Sequence, residues 1–239
     1  MEAKILKQDG MKVHIHVKGI RLSTANALRR TLLSDLQAFA IEEVDFLQNT
    51  SPMFNEYIAS RLGLIPFTYE ESVAADAKIT LSLNAEGPCM VYSRDLKSSD
   101  DKIRPFNENV PIMKLAAGQK LSFDATAVKG TAKQHAKFQC ALASYAAVPE
   151  LKKKGSASWD SVLKNMPSEL VSKDGKIIDY TKADAIETLT NQVDDLEVDY
   201  KEGEFIFFIE SYNNLTPMQH VENALKIIDE KLDQVFTEK

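Results

Sequence analysis

Thr216-Pro217-Met218-Gln219-His220-Val221-Glu222-Asn223-Ala224-Leu225-Lys226-Ile227-Ile228, running on through Leu232 to Val235, is the most informative stretch of the chain. Thr216 is a good N-cap residue, Pro217 suits the first helical turn, and Gln219 stands three positions on as a capping-box partner. A helix is therefore expected from there to the C-terminus. Val221, Ala224, Leu225, Ile228, Leu232 and Val235 recur at helical spacing and make one apolar stripe. Burying its larger members is worth roughly 1.5 to 3 kcal/mol each, on the order of 10 kcal/mol together. A whole domain is stable by only ~5 to 15 kcal/mol, so a stripe of this size must be covered. The pattern leaves two covers open, the chain's own sheet or a second subunit.

Upstream, Leu196, Val198 and Tyr200 alternate, Lys201-Glu202-Gly203-Glu204 has the composition of a turn, and Phe205 to Glu210 is an apolar run. A hairpin is expected. At the other end, Met11 to Lys18 alternates with the period of a half-buried strand, with His14 and His16 on its wet face. Ser23 or Thr24 can cap a helix over residues 25–36 that carries Leu28, Leu32 and Leu36 on one stripe. Ile41 to Leu47 reads as a strand, Asn49-Thr50-Ser51-Pro52 as a turn, and the next residues as a short helix. Gly63 suits its left-handed cap, and Pro66 forbids continuation. The middle is β-rich: Ile79, Leu81 and Leu83 alternate, as do Leu121, Phe123 and Ala125. Residues 150–192 are more polar and weakly periodic, which suggests a small appended module or a flexible insert. The sum is an α+β chain.

Composition narrows the function. Twenty-nine basic and thirty-five acidic side chains in 239 residues give a net charge of -6, which disfavours autonomous binding to a polyphosphate. Only Arg29-Arg30 and Lys152-Lys153-Lys154 cluster, and such short runs read as solvated faces. No stretch reaches the ~20 apolar residues of a membrane span, and the start lacks a signal-peptide pattern, so a cytoplasmic location is expected. Cys89 and Cys140 have no metal-ligand spacing and read as small buried hydrophobes. Four scattered histidines offer no nucleophile–base pair. His135 lies in a strand-like stretch with Ala136-Lys137-Phe138, His220 reads as surface or interface, and Asp194-Asp195 as a solvated strand opening. No catalytic residue is expected.

Asn26-Ala27-Leu28-Arg29-Arg30-Thr31-Leu32-Leu33, Ala40-Ile41-Glu42-Glu43-Val44, Asn49-Thr50-Ser51 and Arg61-Leu62-Gly63-Leu64-Ile65-Pro66 follow one another in a specific order. Glu86 to Ser98, Gly118-Gln119-Lys120-Leu121, His135 to Phe138 and Phe208-Ile209-Glu210-Ser211 continue it. In these motifs the chain resembles the alpha-like subunits of DNA-directed RNA polymerases, of the archaeal type and its eukaryotic counterparts, over nearly its whole length.

The resemblance implies a non-catalytic component of a nucleotidyltransferase. Its fold would be a discontinuous dimerisation domain, an antiparallel sheet with two amphipathic helices (1-46 and 193-239), interrupted by a β-rich insert domain (47-149). Residues 150-192 would be a degenerate ferredoxin-like module within that insert. The implied partners are a small alpha-like subunit, subunit L, then the two large catalytic subunits and other small ones; DNA is met only through the assembled enzyme, and no membrane is involved. The dimer interface would comprise Leu28, Leu32, Leu36, Val221, Leu225, Ile228, Leu232 and Val235. Large-subunit contacts would come from Asn26, Arg29, Arg30, Asn49, Thr50, Ser51, Glu56 and Arg61. Many relatives hold iron–sulfur clusters in the module. Here Met166-Pro167 stands for a Cys-Pro, and Ala183, Ile186, Leu189 and Val193 occupy the cysteine register. Cluster iron needs thiolates, so neither cofactor nor metal is expected. The bacterial alpha subunit, a relative by fold, pairs with itself, which keeps a homodimeric adaptor as the alternative.

Overall fold

The computed structural model describes residues 1–155, 158–163, 166–191, 193 and 195–237. Along the chain run β1 (Glu2–Asp9), β2 (Lys12–Lys18), α1 (Leu22–Ser34), β3 (Gln37–Asn49), α2 (Asn55–Gly63), β4 (Lys78–Glu86), β5 (Cys89–Tyr92), β6 (Lys97–Ser98), β7 (Pro111–Leu115) and β8 (Lys120–Thr131). There follow β9 (Ala141–Lys153), α3 (Trp159–Val162), α4 (Ala183–Thr190), β10 (Leu196–Ser211) and α5 (Pro217–Thr237). The α+β class expected from the sequence is the class found. Two compact units are formed, Met1–Arg29 with Ala143–Glu210, and Arg30–Leu142 with Ser211–Lys239.

The first unit holds a sheet of order β1-β2-β10-β9. Both β1 and β10 pair antiparallel with β2, so Ile15 stands between Ile5 and Phe207. Strand β1 escapes the sequence reading because nearly all its residues are exposed, and no alternation marks it. The expected hairpin at residues 196–210 is overturned: β10 is one strand of 16 residues. Gly203 has φ +69, which suits a turn, but its carbonyl accepts from Gly19 N (2.8 Å) and Ile20 N (3.3 Å), and the strand carries on. His16 is likewise not on a wet face. It is buried, bonds Glu204 at 2.9 Å and lies against the Tyr180 ring. Residues 150–192 contribute to a compact apolar cluster of their own, in which Leu151, Val162, Met166, Leu170, Ile177 and Ile186 are buried. Gly175, at φ +79, closes this cluster: a Cβ there would stand 2.4 Å from the Trp159 ring.

The second unit carries a sheet of order β3-β8-β4-β6 and the ribbon β5-β7. Ile79, Leu81 and Leu83 on β4 and Leu121, Phe123 and Ala125 on β8 point into one core with Ile58 and Leu62 of α2, as the alternation requires. Three local expectations change. Gly63 does not take a left-handed φ; it is the last helical residue, and Leu64 (φ -92, ψ 0) leaves the helix by donating to Arg61 O. Residues 136–138 form a 3-10 turn rather than a strand, with His135 Nδ1 accepting from Lys137 N at 3.1 Å. Cys89 is exposed, whereas Cys140 is buried.

Candidate subunit-contact surfaces

Helix α5 begins as its sequence dictates. Thr216 N donates to Gln219 Oε1 (2.8 Å) and Gln219 N donates to Thr216 Oγ1 (3.3 Å), so two orphan amides are satisfied reciprocally. Its first turns pack on the chain, with Pro217, His220 and Ala224 buried. His220 is therefore not a surface residue. Its Nε2 lies 2.9 Å from Ser211 Oγ and 3.1 Å from Asn213 Oδ1. A hydroxyl beside an imidazole suggests a nucleophile and its base, but burial pulls the His220 pKa down to about 4. Ser211, Asn213 and His220 are all buried, so the group pins the helix start instead of facing a substrate.

Further along, α5 is fastened through Lys231, and the apolar stripe beside that contact is open. Lys231 donates to Asp35, the residue after α1, whose carboxylate also meets Lys133 Nζ at 2.9 Å. Partial burial alone would raise the Asp35 pKa, but hydrogen bonds from Lys231, Ser34 and Lys133 outweigh it and hold the carboxyl at about 2. On the open side Leu225, Leu232, Val235 and Phe236 are 44%, 50%, 65% and 73% exposed. Val221 and Ile228 are half-buried between them. On α1 the stripe is mostly covered: Leu32 is buried, as is Leu36 just beyond the helix, and Leu28 is half-buried. That helix starts at Leu22, with Arg21 O accepting from Ala25 N, so Ser23 and Thr24 lie inside its first turn instead of capping it.

The polar residues singled out from the resemblance are largely committed within the chain. Arg29 donates twice to Asn26 Oδ1 (3.2 and 2.9 Å), while Arg30 is exposed. Asn49 donates to Met53 O (2.9 Å) and Asn55 Oδ1 (2.8 Å) and accepts from Ser51 N (3.0 Å) and Ser51 Oγ (2.6 Å). Thr50 and Lys120 bond each other through Thr50 N to Lys120 O and Lys120 N to Thr50 Oγ1. Arg61 reaches Pro111 O at 2.7 Å, and Glu56 is exposed at the start of α2. Sequence reasoning passed over the apolar members of this segment, Phe54 and Tyr57, which are 69% and 66% exposed with stacked rings. It also missed Asp35 and Phe236; the latter carried a signal, since it adjoins Val235 on the stripe.

In the module, Ile186 is fully buried, Leu189 and Val193 pack against the same cluster, and Ala183 is half-buried at the start of α4. Alkyl side chains fill these positions, and none of them can ligate a metal. Burial pushes the Cys140 thiol up to about 12, which leaves it unreactive at neutral pH. Among the described residues no helix is long and apolar enough to cross a membrane. Asp194 lies outside the described residues.

Residues 40–144 match the family model of the RNA polymerase Rpb3/RpoA insert domain. The chain is 37% identical to DNA-directed RNA polymerase subunit Rpo3 of Thermococcus kodakarensis over 257 aligned positions, covering all of this chain and 97% of that protein. The same subunit of Pyrococcus furiosus is 36% identical with the same coverage, and that of Halobacterium salinarum is 30% identical over 98% of this chain and 95% of its own. A chain of antiparallel sheets with an Rpb3/RpoA insert domain is of the alpha-like polymerase class. Within that class it belongs to the Rpo3 family of DNA-directed RNA polymerase subunits.

Proposed function

We propose that the chain is a non-catalytic assembly subunit that pairs with a small alpha-like subunit of the subunit L type, and that this heterodimer gathers the two large catalytic subunits in the cytoplasm. The observation that carries the reading is the open side of α5. Leu225, Leu232 and Val235 follow the spacing of a heptad seam with Val221 and Ile228, on a helix tied down along the flank of that seam by Ala224 and Lys231. Side chains of this size left to water would cost the monomer solubility, and a partner helix of the same kind removes them from it.

The division by role goes with this reading: residues 1-46 and 193-239 dimerise, 47-149 form the insert, and 150-192 are a ferredoxin-like remnant packed on alkyl groups instead of a cluster. Leu32 and Leu36 are buried and Leu28 half-buried within the chain, so on this reading α1 offers the partner less of its stripe than α5 does. Residues Asn26, Arg29, Arg30, Asn49, Thr50, Ser51, Glu56 and Arg61 belong to the surface offered to the large subunits. DNA is met only through the assembled enzyme.

The test is a paired substitution, Leu225→Glu with Leu232→Glu. Both side chains are about half exposed, so the fold should survive. Co-purification with the small subunit should be lost while the thermal midpoint stays within a few degrees of wild type. Retained co-purification would refute the α5 seam.

A further inference from the structure

The segment from Asn49 to Leu64 exposes large apolar residues beside a loop that is hydrogen-bonded to itself. Several of its polar residues are bonded within the chain: Asn49 makes four hydrogen bonds within the loop, Thr50 is locked to Lys120, and Arg61 donates to a carbonyl. Three of its large apolar residues turn outward. Phe54 at the N-cap of α2, Tyr57 within it and Leu64 at its C-cap are all uncovered, while Ile58 and Leu62 of the same helix are buried. Leu64 is 69% exposed, like Phe54.

We infer that Phe54 and Tyr57, with Leu64, form the anchor by which this chain docks into an apolar socket on a large catalytic subunit, and that Asn49, Thr50 and Arg61 are positioning residues that hold the anchor still. This rests on the assembly reading above and names the contacting groups within it. The hydrogen-bonded loop fixes the backbone on which both rings stand, so little conformational freedom remains to be lost on binding. Stacked aromatic rings of this kind are the side chains that dominate interface energetics.

Area argues against a second copy as the occupant. Two aromatics of ~150 to 250 Å² each, about two-thirds exposed, offer roughly 200 to 330 Å². A stable pair of like chains needs about 800 Å² from each side. This patch is therefore too small to hold a second copy by itself, and on the assembly reading it fits the centre of a wider contact with a large subunit.

The experiment uses the full chain co-expressed with the small alpha-like subunit and both large subunits. Phe54→Ser combined with Tyr57→Ser should keep the small subunit at wild-type yield and keep its unfolding midpoint, yet carry at least tenfold less large subunit. Tyr57→Phe should behave as wild type, and Tyr57→Gln alone serves if the double variant folds poorly. Wild-type recovery of the large subunits by Phe54→Ser/Tyr57→Ser would overturn the inference, as would loss of the small subunit, or a change in self-association by light scattering instead. If the wild-type chain itself carries no large subunit, the assembly reading falls and the anchor falls with it.

Discussion

Lys231, late in α5, donates to the carboxylate of Asp35, the residue that follows α1. An acid at a helix C-terminus is opposed by the helix dipole, yet this one is nearly covered and remains ionised because Lys133 and Ser34 also bond it. The pair sets the side of α5 that faces the chain. By doing so it sets the side that faces away.

Asp35→Asn should therefore destabilise the protein by about 1 to 2 kcal/mol at neutral pH, a value reduced by the half-exposed lysines. The wild-type carboxyl, at about 2 in the folded chain against an ordinary 3.8, contributes stability that is fully present above pH 4 and is lost as pH falls toward 2. Denaturant midpoints measured across that window should fall steeply for wild type and less for the variant. Parallel slopes would contradict the role given to Asp35.

His220 titrates in a separate window. Its imidazole is held neutral by burial, with the pKa lowered from 6.5 to about 4, so the unfolded chain binds the extra proton between these values. Stability is full above pH 6.5 and declines as pH falls toward 4. His220→Gln should be less stable at pH 7.5, because the bonds to Ser211 and Asn213 are disturbed, but flatter between pH 6.5 and 4. Chemical unfolding at pH 7.5 and pH 5 distinguishes the two slopes.

Trp159 is the single tryptophan, and it lies against Gly175. Gly175→Ala imposes both a left-handed φ on a Cβ residue and a clash with the indole, together costing on the order of 1 to 3 kcal/mol. Tryptophan emission should shift to the red at lower denaturant than in wild type. An unchanged fluorescence transition would mean the module does not depend on that contact.

Thr216→Ala removes half of the capping box and should cost about 1 kcal/mol, with Thr216→Ser close to neutral. Thermal unfolding followed by circular dichroism checks both.

Legibility tracked how much of an element's fate is decided locally. Helix α5 was readable because Thr216, Pro217 and Gln219 specify its start and the apolar spacing specifies its faces; β4 and β8 were readable because one face is core. The sequence pattern failed where distant partners decide. Gly203 carries a turn signal, yet its carbonyl is captured by Gly19 and Ile20, so β10 continues. His16 looks wet until Glu204 and Tyr180 arrive over it. The candidate surfaces were half legible. The α5 stripe was evident, and its division into covered and open members was not, because Ala224 and Lys231 are assigned to the chain's own side only by what they meet. Phe54 and Tyr57 sat in a motif whose polar residues drew attention, and only burial reveals which of them point out.

The central claim is that the open side of α5 is closed by a different, smaller subunit. Size-exclusion chromatography with light scattering, on the chain alone and co-expressed with a subunit of the L type, tests it directly. The account predicts a stable one-to-one complex, and a lone chain that is monomeric or aggregates. A well-behaved homodimer that ignores the small subunit would contradict it.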